Sequence, residues 1–189
     1  MLTLLACMSI GAFLAAAPVR KDDTPKGLDV IRTMAIYLTR GTGQWIAPYS
    51  SSGSPGSGGP DAVGLWFELA AQSHVLELTV VFHYGDDVRP HSKSYWYWHP
   101  GRREVQYLEV SPGGAIRMGT THFSDAQTFV TLTDSIGPDG QTKPNRGENV
   151  ILSDDEHLTT AFALDAAGEW VATNEHSWER VPESDRKSK

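Results

Sequence analysis

From residue 62 onward, apolar and polar residues alternate in short runs separated by turn-forming residues. The run at 74–84 shows the pattern. Leu76, Leu78, Val80 and Phe82 fall on one face of an extended chain, and Glu77, Thr79, Val81 and His83 on the other. Runs of this kind predict strands over 62–71, 74–84, 93–99, 104–110, 115–122, 127–135, 146–152, 157–164 and 170–181, preceded by a short strand in 43–49. Between them stand turn signals such as Gly85-Asp86-Asp87, Pro100-Gly101, Pro112-Gly113-Gly114 and Ala167-Gly168. These connections are too short for a crossover helix, so neighbouring strands pair antiparallel. An open sheet of about ten strands would curl or leave exposed edges, and closure removes both problems. The predicted fold class is all-β: an antiparallel up-and-down β-barrel of about ten strands with one N-terminal helix.

Thr24-Pro25 predicts the start of that helix, with a hydroxyl N-cap and proline at the first helical position. Leu28, Ile31, Met34, Ala35 and Leu38 follow at helical spacing, and Gly41 supplies a stop. Ile31, Thr33, Ile36 and Thr39 are β-branched, which leaves an extended second half as the alternative. Residues 50–60 are all Ser, Gly or Pro, the composition of a flexible loop.

The run from Leu2 to Ala17 is apolar and ends in small residues, as a secretory signal peptide does, although no Lys or Arg precedes it. The expected layout is a signal peptide at 1–17, a spacer and helix at 18–42, the barrel at 43–181 and a disordered tail at 182–189. The expected location is exported, periplasmic or extracellular. Leu4-Leu5-Ala6-Cys7 carries the minor alternative of lipidation at Cys7. That cysteine is the only one, so a chain cut after Ala17 has no disulfide and no thiolate metal site.

Charge narrows the partners. A net charge of −7 and a pI of about 5.4 argue against nucleic acid and against an anionic membrane once the leader is removed. The acidic triplet Asp154-Asp155-Glu156 reads as a solvated turn. No nucleophile elbow, HExxH, EF-hand loop, P-loop or dinucleotide fingerprint is present. The seven histidines show no metal-ligand spacing. A general base at His176 with Glu175 or Glu179 has poor geometry, because those acids lie on the opposite face of their strand. The expectation is therefore a binding protein and not an enzyme.

Aromatic residues with polar tips suit a small-molecule pocket, and residues 95–99 concentrate them in Tyr-Trp-Tyr-Trp-His. Tyr95, Tyr97 and His99 face one way and Trp96 and Trp98 the other; period two alone does not say which face is inside. The expected ligand-binding set is Trp66, Tyr95, Tyr97, His99, Tyr107 and His176. The expected ligand is a small apolar or amphipathic molecule, with no cofactor required.

One helix leads into Gly43-Gln44-Trp45, and the strand series ends in Trp178-Glu179-Arg180. This pattern resembles the calycin superfamily of lipocalins and fatty-acid-binding proteins, in the style of secreted bacterial lipocalin-like domains. The resemblance implies that Gly43 and Trp45 on the first strand meet Arg180 from the last and close the barrel. It also implies that residues 50–60 form a lid over the mouth. A second resemblance, to nitrobindin-like barrels, implies haem held by a late histidine, His176 or His157. The glycine-rich first strand of those barrels is missing from 44–49.

Overall fold

The computed structural model describes residues 24–49 and 59–185. The leader, Cys7, nearly all of the proposed lid and the last four residues lie outside the described residues.

The described residues form one α-helix, α1 (Leu28–Leu38), ten strands and two single 3-10 turns, Pro112–Gly114 and Glu183–Asp185. These are β1 (Gln44–Pro48), β2 (Ala62–Ala70), β3 (Val75–Tyr84), β4 (Asp87–His99), β5 (Glu104–Val110), β6 (Ile116–Phe123), β7 (Thr128–Ile136), β8 (Thr142–Ile151), β9 (Glu156–Leu164) and β10 (Trp170–Arg180). Each strand pairs antiparallel with its neighbours in sequence, and β1 pairs β10 to close the barrel. Two strands outrun their sequence patterns. β4 begins before Pro90 and β8 before Pro144. Proline lacks the ladder N–H and so masks a strand in sequence; here the β3–β4 register shifts beside Pro90, between Val80 and Val81.

The helix starts later than Thr24-Pro25 predicts. Gly27 adopts φ 58, ψ −131 immediately before it, and no side chain caps it. It ends at Leu38, with the Thr39 hydroxyl bonded to Ala35 O at 2.8 Å. Val30, Ile31, Met34, Ala35 and Leu38 are buried, the i, i+3, i+4 stripe of an amphipathic helix.

Register divides the residues between inside and outside. Trp45 is fully buried against α1 and pairs with Arg180 and Leu65. Counting by two from these pairs around the barrel puts Leu65, Phe67, Leu76, Leu78, Trp96 and Val105 inside. These side chains, with Phe123, Phe129, Trp178 and the buried stripe of α1, form one apolar core. The helix therefore plugs one end of the barrel. The connections β1–β2, β3–β4, β5–β6, β7–β8 and β9–β10 all lie at the other end.

Candidate functional site

The plugged end is held by Arg180. Its guanidinium carbon sits 4.0 Å from the Trp45 ring centroid, and its side chain is only 7% exposed. Nη1 donates to Arg40 O at 2.6 Å, and Nη2 donates to Tyr37 O at 2.9 Å and Asp154 O at 2.7 Å. Nε donates to the Asp155 carboxylate at 3.1 Å. Tyr37 and Arg40 flank the helix C-terminus, where carbonyls lack intrahelical partners, so one planar cation serves both the helix end and the strand end. The acidic turn takes part as well. Asp154 pairs with Arg40 at 2.5 Å, and Glu156 O accepts from the Tyr37 hydroxyl at 2.8 Å. Gly43 stands at φ 65, where an added Cβ would lie 2.5 Å from Phe67 O; that closeness lets Phe67 N donate to Gly43 O at 2.7 Å.

His157 lies beside this closure and is 1% exposed. Its ring meets Trp45 edge-on at 4.5 Å and stacks on Trp178 at 6.0 Å. Nδ1 has no hydrogen-bond partner. Burial, and then the Arg180 charge, push its pKa down to about 3, so the ring is neutral.

The other half of the interior is open and mixed, with hydroxyls, amides and a cation beside rings and methyl groups. A cavity of about 450 Å³ is lined by Tyr107, Arg117, Thr131, Thr133, Asn149 and Thr159, among others. Two indoles carry the boundary between plug and cavity. Trp96 Nε1 donates to Thr121 Oγ1 at 3.1 Å, and Thr121 lies 2.9 Å from Thr131 Oγ1. Trp178 Nε1 donates to Thr159 Oγ1 at 3.0 Å, and Thr159 donates to Asn149 Oδ1 at 2.7 Å. Toward the mouth, the buried Glu109 accepts from the Tyr107 hydroxyl at 2.6 Å, the Ser111 hydroxyl at 2.8 Å and Arg117 Nη1 at 3.3 Å. Burial and the Glu109 charge raise the Tyr107 pKa, so Tyr107 stays a neutral donor.

Of the six residues expected to bind ligand, Tyr107 and His176 face this interior. His176 tilts over Trp178 at 5.3 Å, and its Nε2 meets Asn174 Nδ2 at 2.9 Å. Burial lowers its pKa. The other four point outward. Trp96 pairs with Tyr107 on the inner face, which turns Tyr95, Tyr97 and His99 to the outside. There the His99 ring accepts from Arg102 N at 3.1 Å across the hairpin turn. Trp66 pairs with Gln44 on the outer wall, in a cleft that Val181 and Pro182 also line. Period two holds on both faces of β4, and both faces are aromatic, so the sequence pattern did not distinguish them. Arg117, Thr121, Thr131, Asn149 and Thr159 were missed. Their only signal is that all lie in phase with Arg180 once the register is known.

The two late histidines stand in different surroundings. His157 is enclosed between indoles inside the plug. His176 faces the interior beside Thr159 and Trp178 and meets Asn174 through its Nε2. The His176–carboxylate pairing fails on geometry. Glu175 and Glu179 alternate to the outer face, where the Glu175 carboxylate accepts from Thr160 at 3.4 Å.

No family model matches the chain, and no curated protein matches it. Among solved structures, the di-domain ARO/CYC StfQ from the steffimycin biosynthetic pathway is similar at 10% identity and a TM-score of 0.25. The match covers 87% of this chain and 83% of that chain. A similarity of that size carries no inference about function, and the fold assignment rests on the strand register alone.

Proposed function

We propose that the protein is a calycin-like binding barrel that takes a small polar or amphipathic molecule into the half of its interior away from α1. One observation carries this reading: the cavity of about 450 Å³ walled by inward hydroxyls and amides, with indole N–H groups donating to two of the threonines behind it. That volume suits a small molecule. Of the expected apolar or amphipathic ligands, the filling of the interior favours the amphipathic. The helix stripe and Trp45, Trp96 and Trp178 occupy one half, and the cavity left in the other sets Thr and Asn side chains and Arg117 beside Tyr107, Ala161 and Phe162. The Trp178–His176 pair adds ring faces to the inner wall.

Gly147 makes this testable. It lines the cavity, and a Cβ there would meet nothing within 4 Å. Gly147→Phe should therefore plug the cavity without disturbing the walls. A thermal-shift screen of small polar metabolites should give stabilising hits with the parent that vanish in Gly147→Phe. Hits confined to long-chain fatty acids, equal in both proteins, would refute the polar site. We also propose export, on the apolar run 2–17; N-terminal sequencing of protein from its native host should start near Pro18, and an intact Met1 would refute it.

A further inference from the structure

We infer that the ligand is an oxyanion, a small carboxylate or phosphate ester, gripped by the free N–H groups of Arg117 together with donors from Thr131 and Asn149. This rests on the reading of the polar half as the ligand site, and it draws on the directions in which two chains of hydrogen bonds can run.

An indole N–H can only donate. Trp96 gives its proton to Thr121 Oγ1, and Thr121 is 3% exposed. Thr121 and Thr131 lie 2.9 Å apart, where either hydroxyl can donate; with the indole proton already on Thr121, we assign the Thr121 proton to Thr131. Thr131 then keeps its own proton for the cavity that it lines. The second relay runs the same way. Trp178 donates to Thr159, and Thr159 donates to Asn149 Oδ1, which leaves the Asn149 Nδ2 protons facing the cavity. Two buried indoles thus orient two chains of hydrogen bonds so that each ends in a donor.

Arg117 supplies the third donor group. Its register partner Glu109 puts it on the inner face, and it lines the cavity. A guanidinium carries five N–H donors, and Glu109 takes one of them, at 3.3 Å. The carboxylate is otherwise engaged by Tyr107 and Ser111 and does not line the cavity. It fixes Arg117 in place while its own charge is screened from a ligand. Arg146 also borders the cavity, but in a different way. Register with Leu132 and Phe162 turns its side chain to the outer face, where it bonds Glu148 and covers the Phe162 ring. The cavity lining contains no Asp or Glu, although the chain carries 23 of them and a net charge of −7. Because Glu109 balances the Arg117 charge, selection for an oxyanion comes from convergent donors more than from net potential. One wall group is of the other polarity. Asn145 donates Nδ2 to Lys143 O at 2.9 Å, so its oxygen can accept from a hydroxyl elsewhere on the ligand.

The test uses matched pairs of small probes, such as 4-hydroxybenzoate with 4-hydroxybenzamide and phenyl phosphate with its neutral dimethyl ester. Affinity is measured by calorimetry, and the site by the Asn149 side-chain amide signal in nuclear magnetic resonance. The oxyanion of each pair should bind about tenfold more tightly and shift the Asn149 signal. Arg117→Gln should abolish that preference while the barrel stays folded by circular dichroism, with a lower melting temperature from the uncompensated Glu109 charge, and Arg117→Lys should restore part of the preference. Thr131→Val should weaken both members of a pair. If the neutral member shifts Asn149 and binds as well as the anion, the oxyanion inference falls and the polar site stands. If no probe of either kind shifts Asn149, the binding reading falls and the inference with it.

Discussion

The indole nitrogen of Trp178 donates to the hydroxyl of Thr159 across 3.0 Å, and that contact marks where the apolar plug ends and the polar cavity begins. Behind it lie His157, Trp45 and the helix stripe. In front of it lie Asn149 and open space. The barrel therefore divides its interior between a half packed with side chains and a half that holds the cavity.

Removing Arg180 should loosen the plugged end. Arg180→Ala strips partners from the carbonyls of Tyr37, Arg40 and Asp154 and uncovers the Trp45 ring. The expected loss is about 2–4 kcal/mol, from a hydrogen-bonded cation with little solvent around it. Arg180→Lys should recover less than half, because an ammonium cannot span the helix end and the strand turn with one planar fork. Chemical denaturation of the three proteins checks this, and equal midpoints for parent and alanine variant would exclude the closing role.

Gly43→Ala should cost about 1–3 kcal/mol for a different reason. The methyl would sit 2.5 Å from Phe67 O at a φ of 65 that alanine disfavours. Relief requires β1 and β2 to move apart at the point where Phe67 N donates to Gly43 O. Thermal melts should show the drop, with amide exchange fastest at Phe67.

Acid should destabilise the protein through His157. In the unfolded chain this histidine titrates near 6.5, while in the barrel it resists protonation down to about 3. Below pH 6.5 the unfolded state thus binds the extra proton, so stability is full above that pH and falls as pH drops toward 3. Between pH 6.5 and 4.5 the loss from this group is about 2 kcal/mol. His157→Phe keeps an aromatic ring between Trp45 and Trp178 and removes the unpartnered Nδ1. Its acid limb should be shallower by that amount. An unchanged pH profile would show that the ring is already protonated or solvated in the barrel.

Much of this architecture is legible in the sequence, and the reasons are physical. The turn dipeptides and two-residue periodicity mark nearly every strand, because a half-buried strand must alternate. Gly43, Trp45 and Arg180 were legible through the resemblance to calycin barrels, which implies one closing contact between the two ends of the strand series; register then pairs Trp45 with Arg180. The start of α1 is less legible, since the backbone turn at Gly27 overrides the capping pattern of Thr24-Pro25. The inside of the barrel is the hardest to read. Residues 95–98 are aromatic in both phases, so local pattern does not separate the inward Trp96 from the outward Tyr95 and Tyr97. The cavity residues are threonines and asparagines, which look like surface residues until closure places them inside. Only the register, carried strand by strand from the Trp45–Arg180 pair, distinguishes Thr131 and Asn149 from their outward neighbours.

The most direct measurement is native mass spectrometry of the parent and Gly147→Phe, each purified gently from the native host. The parent should carry a small polar adduct that is released on denaturation, and the plugged variant should fold and carry none. An adduct that persists in Gly147→Phe, or a long-chain lipid found equally in both, would place binding outside the polar half and contradict the account.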